Sequence, residues 1–142
     1  MSDLDKDPQP CVGVMILKEG KVLLGKRCGK HAPGEYSFPG GRIEYMESFE
    51  NAVKRETEEE AGVKIKNVKF LSVANIDRYS YRHDILMSFS ADWESEEPRT
   101  NPEERIGEWD WYSLDDLPEP LFYPTQITID SYKTGKNFYD KE

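Results

Sequence analysis

The sequence predicts an α/β fold, a sandwich of helices around a mixed β-sheet, and three observations carry that expectation. Runs of β-branched or alternating apolar residues recur along most of the 142-residue chain. One long helical pattern lies in the middle, at residues 47–61, and a second helix is expected near the C-terminal end. Strands and helices do not alternate strictly, which argues against a purely parallel βαβ sheet. The length allows one domain with a sizeable core and no second one of ordinary size.

Residues 1–10 are polar, carry Pro8 and Pro10, and read as a frayed tail, leaving 11–142 as the domain. Residues 11–17, from Cys11 to Leu17, and the run Val22-Leu23-Leu24 read as two strands of a hairpin around Glu19-Gly20. Residues 28–41 hold Gly29, Pro33, Gly34, Pro39, Gly40 and Gly41 and are expected to be loop. The helix of residues 47–61 should stop at Gly62, a residue suited to the left-handed conformation past a helix end. Strands are expected at 63–73 and 85–93, the second with apolar and polar residues in alternation. Residues 95–104, rich in Glu and Pro, should be loop. A short strand follows at 109–112, then a helical turn at 114–117 and a last helix starting at Tyr123 or Pro124.

Composition narrows the function classes. Hydrophobic residues make up 37% of the chain and aromatics 12%, enough for a packed core, while a mean hydropathy of -0.79 describes a very polar surface. A formal net charge of -9 argues against a nucleic-acid polymer as partner, since such binders carry a basic footprint. A small phosphate ester remains compatible, provided that a divalent cation stands between the two sets of negative charge. No apolar run approaches the ~18 residues of a membrane span, and the N-terminus has neither the basic nor the apolar stretch of a secretory signal. With only Cys11 and Cys28 as thiols, the expected setting is the reducing cytoplasm.

The central helix departs from ordinary amphipathic patterning. Phe49, Ala52 and Val53 form an apolar stripe at i, i+3 and i+4, and the same stripe continues through Glu56 and Glu60. Glu59 lies beside them. Acids three or four residues apart repel by a few tenths of a kcal/mol, and they sit at the helix end that disfavours negative charge. A solvated acidic face is the ordinary fate of such a run. The glycine loop Phe38-Pro39-Gly40-Gly41 just upstream shifts the balance, because it places free backbone where a carbonyl could join a carboxylate-bound cation.

Together these segments spell Gly41, five residues, Glu47, seven residues, then Arg55-Glu56-Thr57-Glu58-Glu59-Glu60-Ala61-Gly62-Val63. This resembles the Nudix box, with its seven fixed positions filled; Thr57 stands where the pattern prefers an aliphatic residue. The resemblance implies a Nudix α/β/α sandwich and a MutT-like, magnesium-dependent hydrolase of phosphoanhydride bonds, with Mn²⁺ as a substitute ion. It assigns Glu56, Glu59 and Glu60 to the metal, with a backbone carbonyl of Gly40 or Gly41. Glu47 and Arg55 become an ion pair that fixes the loop on the helix, with Arg55 counted among the catalytic groups and Glu47, like Arg42, among those that meet the substrate. The general base varies among members, leaving Glu56, Glu59, Glu103 and Glu104 as candidates.

Outside the box, Lys26-Arg27 ends the second strand with two cations, and Arg27 suits a phosphate clamp as well as it suits a surface strand end. Trp109-Asp110-Trp111-Tyr112 and Leu121-Phe122 offer aromatic surface for a base, against which stands plain core packing. The order of these motifs is similar to the Nudix branch of nucleoside triphosphate pyrophosphohydrolases, over residues 12–122. That likeness implies a homodimer, places Phe122 near the base, and meets one departure: Arg42 follows Gly40-Gly41 where the branch often has His. Three functions compete. They are release of pyrophosphate from a nucleoside triphosphate, hydrolysis of a nucleotide sugar, and nucleotide sensing without cleavage. The intact acid set speaks against the third.

Overall fold

The computed structural model describes residues 7–141. Ten elements follow one another: β1 (Gln9–Lys18), β2 (Lys21–Arg27), β3 (Tyr36–Ser37), β4 (Gly40–Arg42), α1 (Phe49–Ala61), β5 (Lys64–Ile76), β6 (Asp84–Ser95), β7 (Ile106–Ser113), α2 (Tyr123–Thr134) and β8 (Phe138–Tyr139). The sheet runs β3-β2-β1-β6-β5-β8, with β4 paired to β1 and β7 to β2. β1 and β6 are parallel, as are β5 and β8, and the other pairs are antiparallel. The expected mixed sheet is therefore present.

Period-2 alternation along β1 sends its side chains to the two faces of the sheet. Val12, Val14 and Ile16 join Ala52, Val53 and Ala61 of α1 in one core cluster. Met15, with Val22 and Leu24 of β2, meets Ile129 of α2 in another. A third cluster seats Ile127 of α2 on Ala74, Ile76 and Leu86. The two helices thus cover opposite faces, which is the α/β/α sandwich.

Several boundaries differ from expectation. Gln9 and Pro10 are not tail but the start of β1, paired with Asp84 and Ile85; residues 1–6 lie outside the described residues. The loop at 28–41 contains β3, paired with β2, and the start of β4, where Gly40 lets the backbone lie close against β1. The central helix begins at Phe49 rather than 47. Ser48 is its N-cap, accepting a hydrogen bond from Asn51 N–H at 3.1 Å, and leaves Glu47 ahead of the helix. Phe49 is 50% exposed, so the apolar stripe starts one turn later, at Ala52 and Val53. Gly62 ends the helix at φ 72°, its N–H donating to the carbonyls of Thr57 and Glu58. Residues 114–116 form a hydrogen-bonded turn, not a helix, and β8 was not anticipated.

The glycine loop is fixed by close approach. A Cβ on Gly40 would lie 2.3 Å from the Val12 carbonyl oxygen, and one on Gly41 would lie 2.6 Å from the Glu56 carboxylate. Gly40→Ala must push β4 off β1, a backbone displacement that no side-chain rotation relieves. Its denaturation midpoint should correspond to a loss of roughly 1–3 kcal/mol; an unchanged midpoint would show that β4 is not held this tightly.

Candidate metal-dependent active site

β4 and α1 are tied together through one guanidinium. Arg55 Nε donates to Glu47 Oε2 at 2.7 Å and its Nη2 to Glu47 Oε1 at 2.9 Å, a two-pronged pair. Nη2 also donates to the Arg42 carbonyl at 3.0 Å, which ties the helix to the end of β4. Nη1 donates to Glu56 Oε1 at 2.8 Å and to Glu59 Oε2 at 3.3 Å. Five donors in a rigid fork suit this arrangement, which lysine could not reproduce. The Arg55 hydrogen bonds draw the Glu47 carboxyl down to about 2. Hydrogen bonding to Glu47 in turn holds Arg55 more firmly protonated.

Next to this clamp lies an acid pair with less compensation. Glu60 is 4% exposed and accepts a hydrogen bond from Gly40 N–H at 2.8 Å. Burial raises its carboxyl well above the ordinary range, and the neighbouring Glu56 and Glu104 charges add to the rise. Glu56 is raised as well, by burial first, although Arg55 opposes the shift. The last carbonyls of α1 are satisfied from outside the helix: Trp109 Nε1 donates to Glu60 O at 3.0 Å, Asn101 Nδ2 to Glu59 O at 3.3 Å, and Arg99 N to Ala61 O at 2.9 Å. The acid-bearing end of the helix is therefore fixed in place rather than frayed.

Among the described residues, no three His, Cys, Asp or Glu side chains are already gathered as a metal cage. The cause is visible in the hydrogen bonds: Arg55 holds Glu56 and Glu59, while Gly40 N–H holds Glu60. The donor set still fits a hard divalent cation. Two half- to fully buried carboxylates stand together, Glu60 lacks any cationic hydrogen-bond partner among the described residues, and all available ligands are oxygens.

These acids open onto a cleft of ≈ 400 Å³, a volume suited to a small ligand. Glu56, Glu59, Glu60 and Glu104 line it together with Gly40, Gly41 and Arg42. Arg27 and Phe122 line it too, the Arg27 guanidinium lying 4.3 Å from the Phe122 ring centroid. Arg27 Nε donates to the His31 carbonyl, and among the described residues no carboxylate pairs with this guanidinium. Desolvation lowers the Arg27 pKa from its ordinary value. A partly buried cation in that position suits an anionic ligand.

Not every expected residue reaches the cleft. Glu103 is exposed in the turn before β7 and does not line it, while Glu104 does. Glu47 and Arg55 stand behind the acids as their support. Trp109 and Trp111 pack on the α1-side core, so core packing and not base stacking accounts for both. Sequence reasoning passed over His31, Tyr79, Tyr81 and the Arg82–Asp84 pair, whose Nε–Oδ2 distance is 2.8 Å. The dense run Arg78-Tyr79-Ser80-Tyr81-Arg82-His83 was the available signal, an aromatic and basic loop in an acidic chain.

The clamp has a pH signature. Glu47 titrates at an ordinary 4.5 when unfolded and at about 2 when folded. A depressed acid contributes stability that is full above the unfolded value and is lost as pH falls through the folded one. The gap in melting temperature between wild type and Glu47→Gln should therefore be constant above pH 5 and close between about 4.5 and 2. A gap that stays constant down to pH 2 would mean that Arg55 does not hold Glu47 as a carboxylate.

The NUDIX domain family matches residues 7–132. The chain is 36% identical over 109 residues to an NAD-capped RNA hydrolase, NudC, of Photorhabdus laumondii, covering 77% of this chain and 40% of that protein. The NudC of Salmonella paratyphi C is 33% identical with the same coverage. The chain thus spans less than half the length of these curated relatives. A solved MutT NUDIX hydrolase from Burkholderia pseudomallei aligns with a TM-score of 0.82 at 34% identity, over 88% of this chain and 98% of that one. The NUDIX domain of Shewanella oneidensis NrtR, crystallised with ADP ribose, shares the fold with a TM-score of 0.77 at 21% identity, over 92% and 90% of the two chains. Box, fold and matches agree, and the chain belongs to the Nudix hydrolase family.

Proposed function

We propose that this chain hydrolyses a phosphoanhydride bond in a nucleoside triphosphate, with magnesium, releasing the monophosphate and pyrophosphate in the cytoplasm. The observation that supports this reading most is the pairing within one cleft of a buried acid couple, Glu56 and Glu60, with the Arg27 guanidinium, which forms no salt bridge among the described residues. Acids alone would repel a polyphosphate and the guanidinium alone would only bind one. A sensor that never cuts has no use for the acid couple.

Glu56, Glu59 and Glu60, with a carbonyl of Gly40 or Gly41, would hold the ion. When bound, a divalent cation neutralises phosphate oxygens and lowers the pKa of a water near them. The chain's own groups do the rest. Arg27 binds phosphate oxygens, and the Phe122 ring beneath it gives the substrate an apolar wall. Arg55 keeps the loop of β4 at a fixed height over α1, and so sets where Gly40 and Gly41 face the acids. Glu104, in the cleft and facing Glu60, joins Glu56 and Glu59 as a proton acceptor for the attacking water, while Glu103 drops out. Free Cys11 and Cys28 suit a reducing compartment.

A second reading has its own support. The 36% match to a NAD-capped RNA hydrolase favours a diphosphate linking two nucleosides as substrate. The net charge of -9 favours the small nucleotide over the RNA.

Products separate the two. A panel of nucleoside triphosphates, NAD and ADP-ribose should give pyrophosphate from the first group and two monophosphate-bearing products from the others. Turnover should vanish in chelator and return with Mg²⁺ or Mn²⁺, and Glu60→Gln should lower it by roughly two orders of magnitude or more. Full turnover in excess chelator would end the metal-dependent reading, and inorganic phosphate as first product would end the pyrophosphate assignment.

A further inference from the structure

His31 is 7% exposed, sits in the segment between β2 and β3, and lines the cleft. Aromatic rings box it in: Tyr79 at 4.6 Å, Phe122 at 5.3 Å and Tyr81 at 5.4 Å between centroids, all edge-on. The Tyr81 hydroxyl hydrogen-bonds its Nδ1, while Nε2 has no partner among the described residues. Unpaired buried polar atoms are costly and call for an explanation. Four others on side chains, at Ser37, Thr57, Ser72 and Trp111, lie away from the cleft. Arg82 is the other cleft residue in that position, and its Nε lies 2.8 Å from Asp84. Among the described residues, His31 alone carries a fully buried, unanswered hydrogen-bonding atom in a wall of the cleft.

Resting on the reading that the cleft takes a nucleotide, we propose that His31, with Tyr81 behind it, recognises the hydrogen-bonding edge of the nucleobase. A phosphate is the weaker match for this atom. Burial, together with Arg82, Arg27 and Arg105, brings the His31 pKa down to about 4, so the ring meets ligand uncharged at neutral pH. Phosphate has Arg27 available nearby, in a form that is always charged. An uncharged imidazole offers one proton, and the partner of one nitrogen determines what the other presents. With the Tyr81 phenol donating to Nδ1, the tautomer this proposal takes, Nε2–H is left as a donor. Such a donor, in the wall of the cleft beside Phe122, pairs with a base carbonyl or ring nitrogen. Tyr81 positions the ring, and His31 touches the ligand.

Equilibrium binding tests this without turnover. The full chain in millimolar magnesium is titrated calorimetrically with AMP, GMP, CMP and UMP, and with ribose 5-phosphate, which lacks the base. Wild type should bind at least one monophosphate about tenfold or more tightly than ribose 5-phosphate. His31→Gln, whose amide reaches the Nε2 position, should keep most of that preference; His31→Asn, whose amide reaches only the Nδ1 position, should lose it. Tyr81→Phe should weaken it several-fold, with ribose 5-phosphate binding unaltered. Lack of a base preference in the wild type, or equal behaviour of the Gln and Asn variants, overturns the proposal. Triphosphate hydrolysis, measured separately, distinguishes the failures: turnover without a His31-dependent preference removes this inference, and the preference without turnover removes the hydrolase reading.

Discussion

Glu60 occupies a place that helix periodicity assigns to the core, and the rest of the site is arranged around that fact. Its carboxylate is 4% exposed, close to the Glu56 carboxylate, at the helix end where the backbone dipole disfavours negative charge. Burying a carboxylate without an ion-pair partner costs stability. The protein offsets part of that cost with one backbone donor, Gly40 N–H. The glycine loop is needed for the same reason, since a Cβ at either Gly40 or Gly41 would collide with β1 or with Glu56.

Arg55 keeps this arrangement from coming apart. A single guanidinium joins Glu47, the β4 carbonyl of Arg42, Glu56 and Glu59, so helix, loop and acids share one rigid partner. The capping of α1 by Ser48 and not by Glu47 is what frees the Glu47 side chain for the fork. On the far side, Trp109 and Asn101 take the carbonyls of Glu60 and Glu59, so β7 and the loop before it carry the acid turn from behind. The cleft is then polarised, with acids on the α1 side and Arg27, Arg82 and Arg105 elsewhere along its walls.

How much of this could be read in the sequence depended on how local the cause was. The box residues and the αL glycine at 62 follow from short-range spacing, the Glu47–Arg55 partnership from the resemblance that the box carries, and the mixed sheet from strand runs interrupted by one long helix. The early start of β1 at Gln9 was hidden because its partners, Asp84 and Ile85, lie more than seventy residues away. β3, β4 and β8 are too short to show a period. The tryptophans of β7 could have served a base or a core, and only tertiary packing could decide. His31 and Tyr81 are fifty positions apart in the chain: Tyr81 lies in the aromatic and basic run 78–83, but His31 sits in no motif that spacing could flag.

The account stands on the claim that Glu60 is kept for a metal and against stability, and thermal melts of wild type and Glu60→Gln test that claim most directly. Gln preserves the acceptor for Gly40 N–H and removes one charge, so in chelator the variant should match wild type or exceed it by about 0.3–1 kcal/mol. In magnesium at tenfold its dissociation constant the wild type should gain about 1.4 kcal/mol and the variant less, reversing the order. A variant markedly less stable than wild type in chelator would contradict the account, because Glu60 would then be a structural acid with a partner in the protein itself.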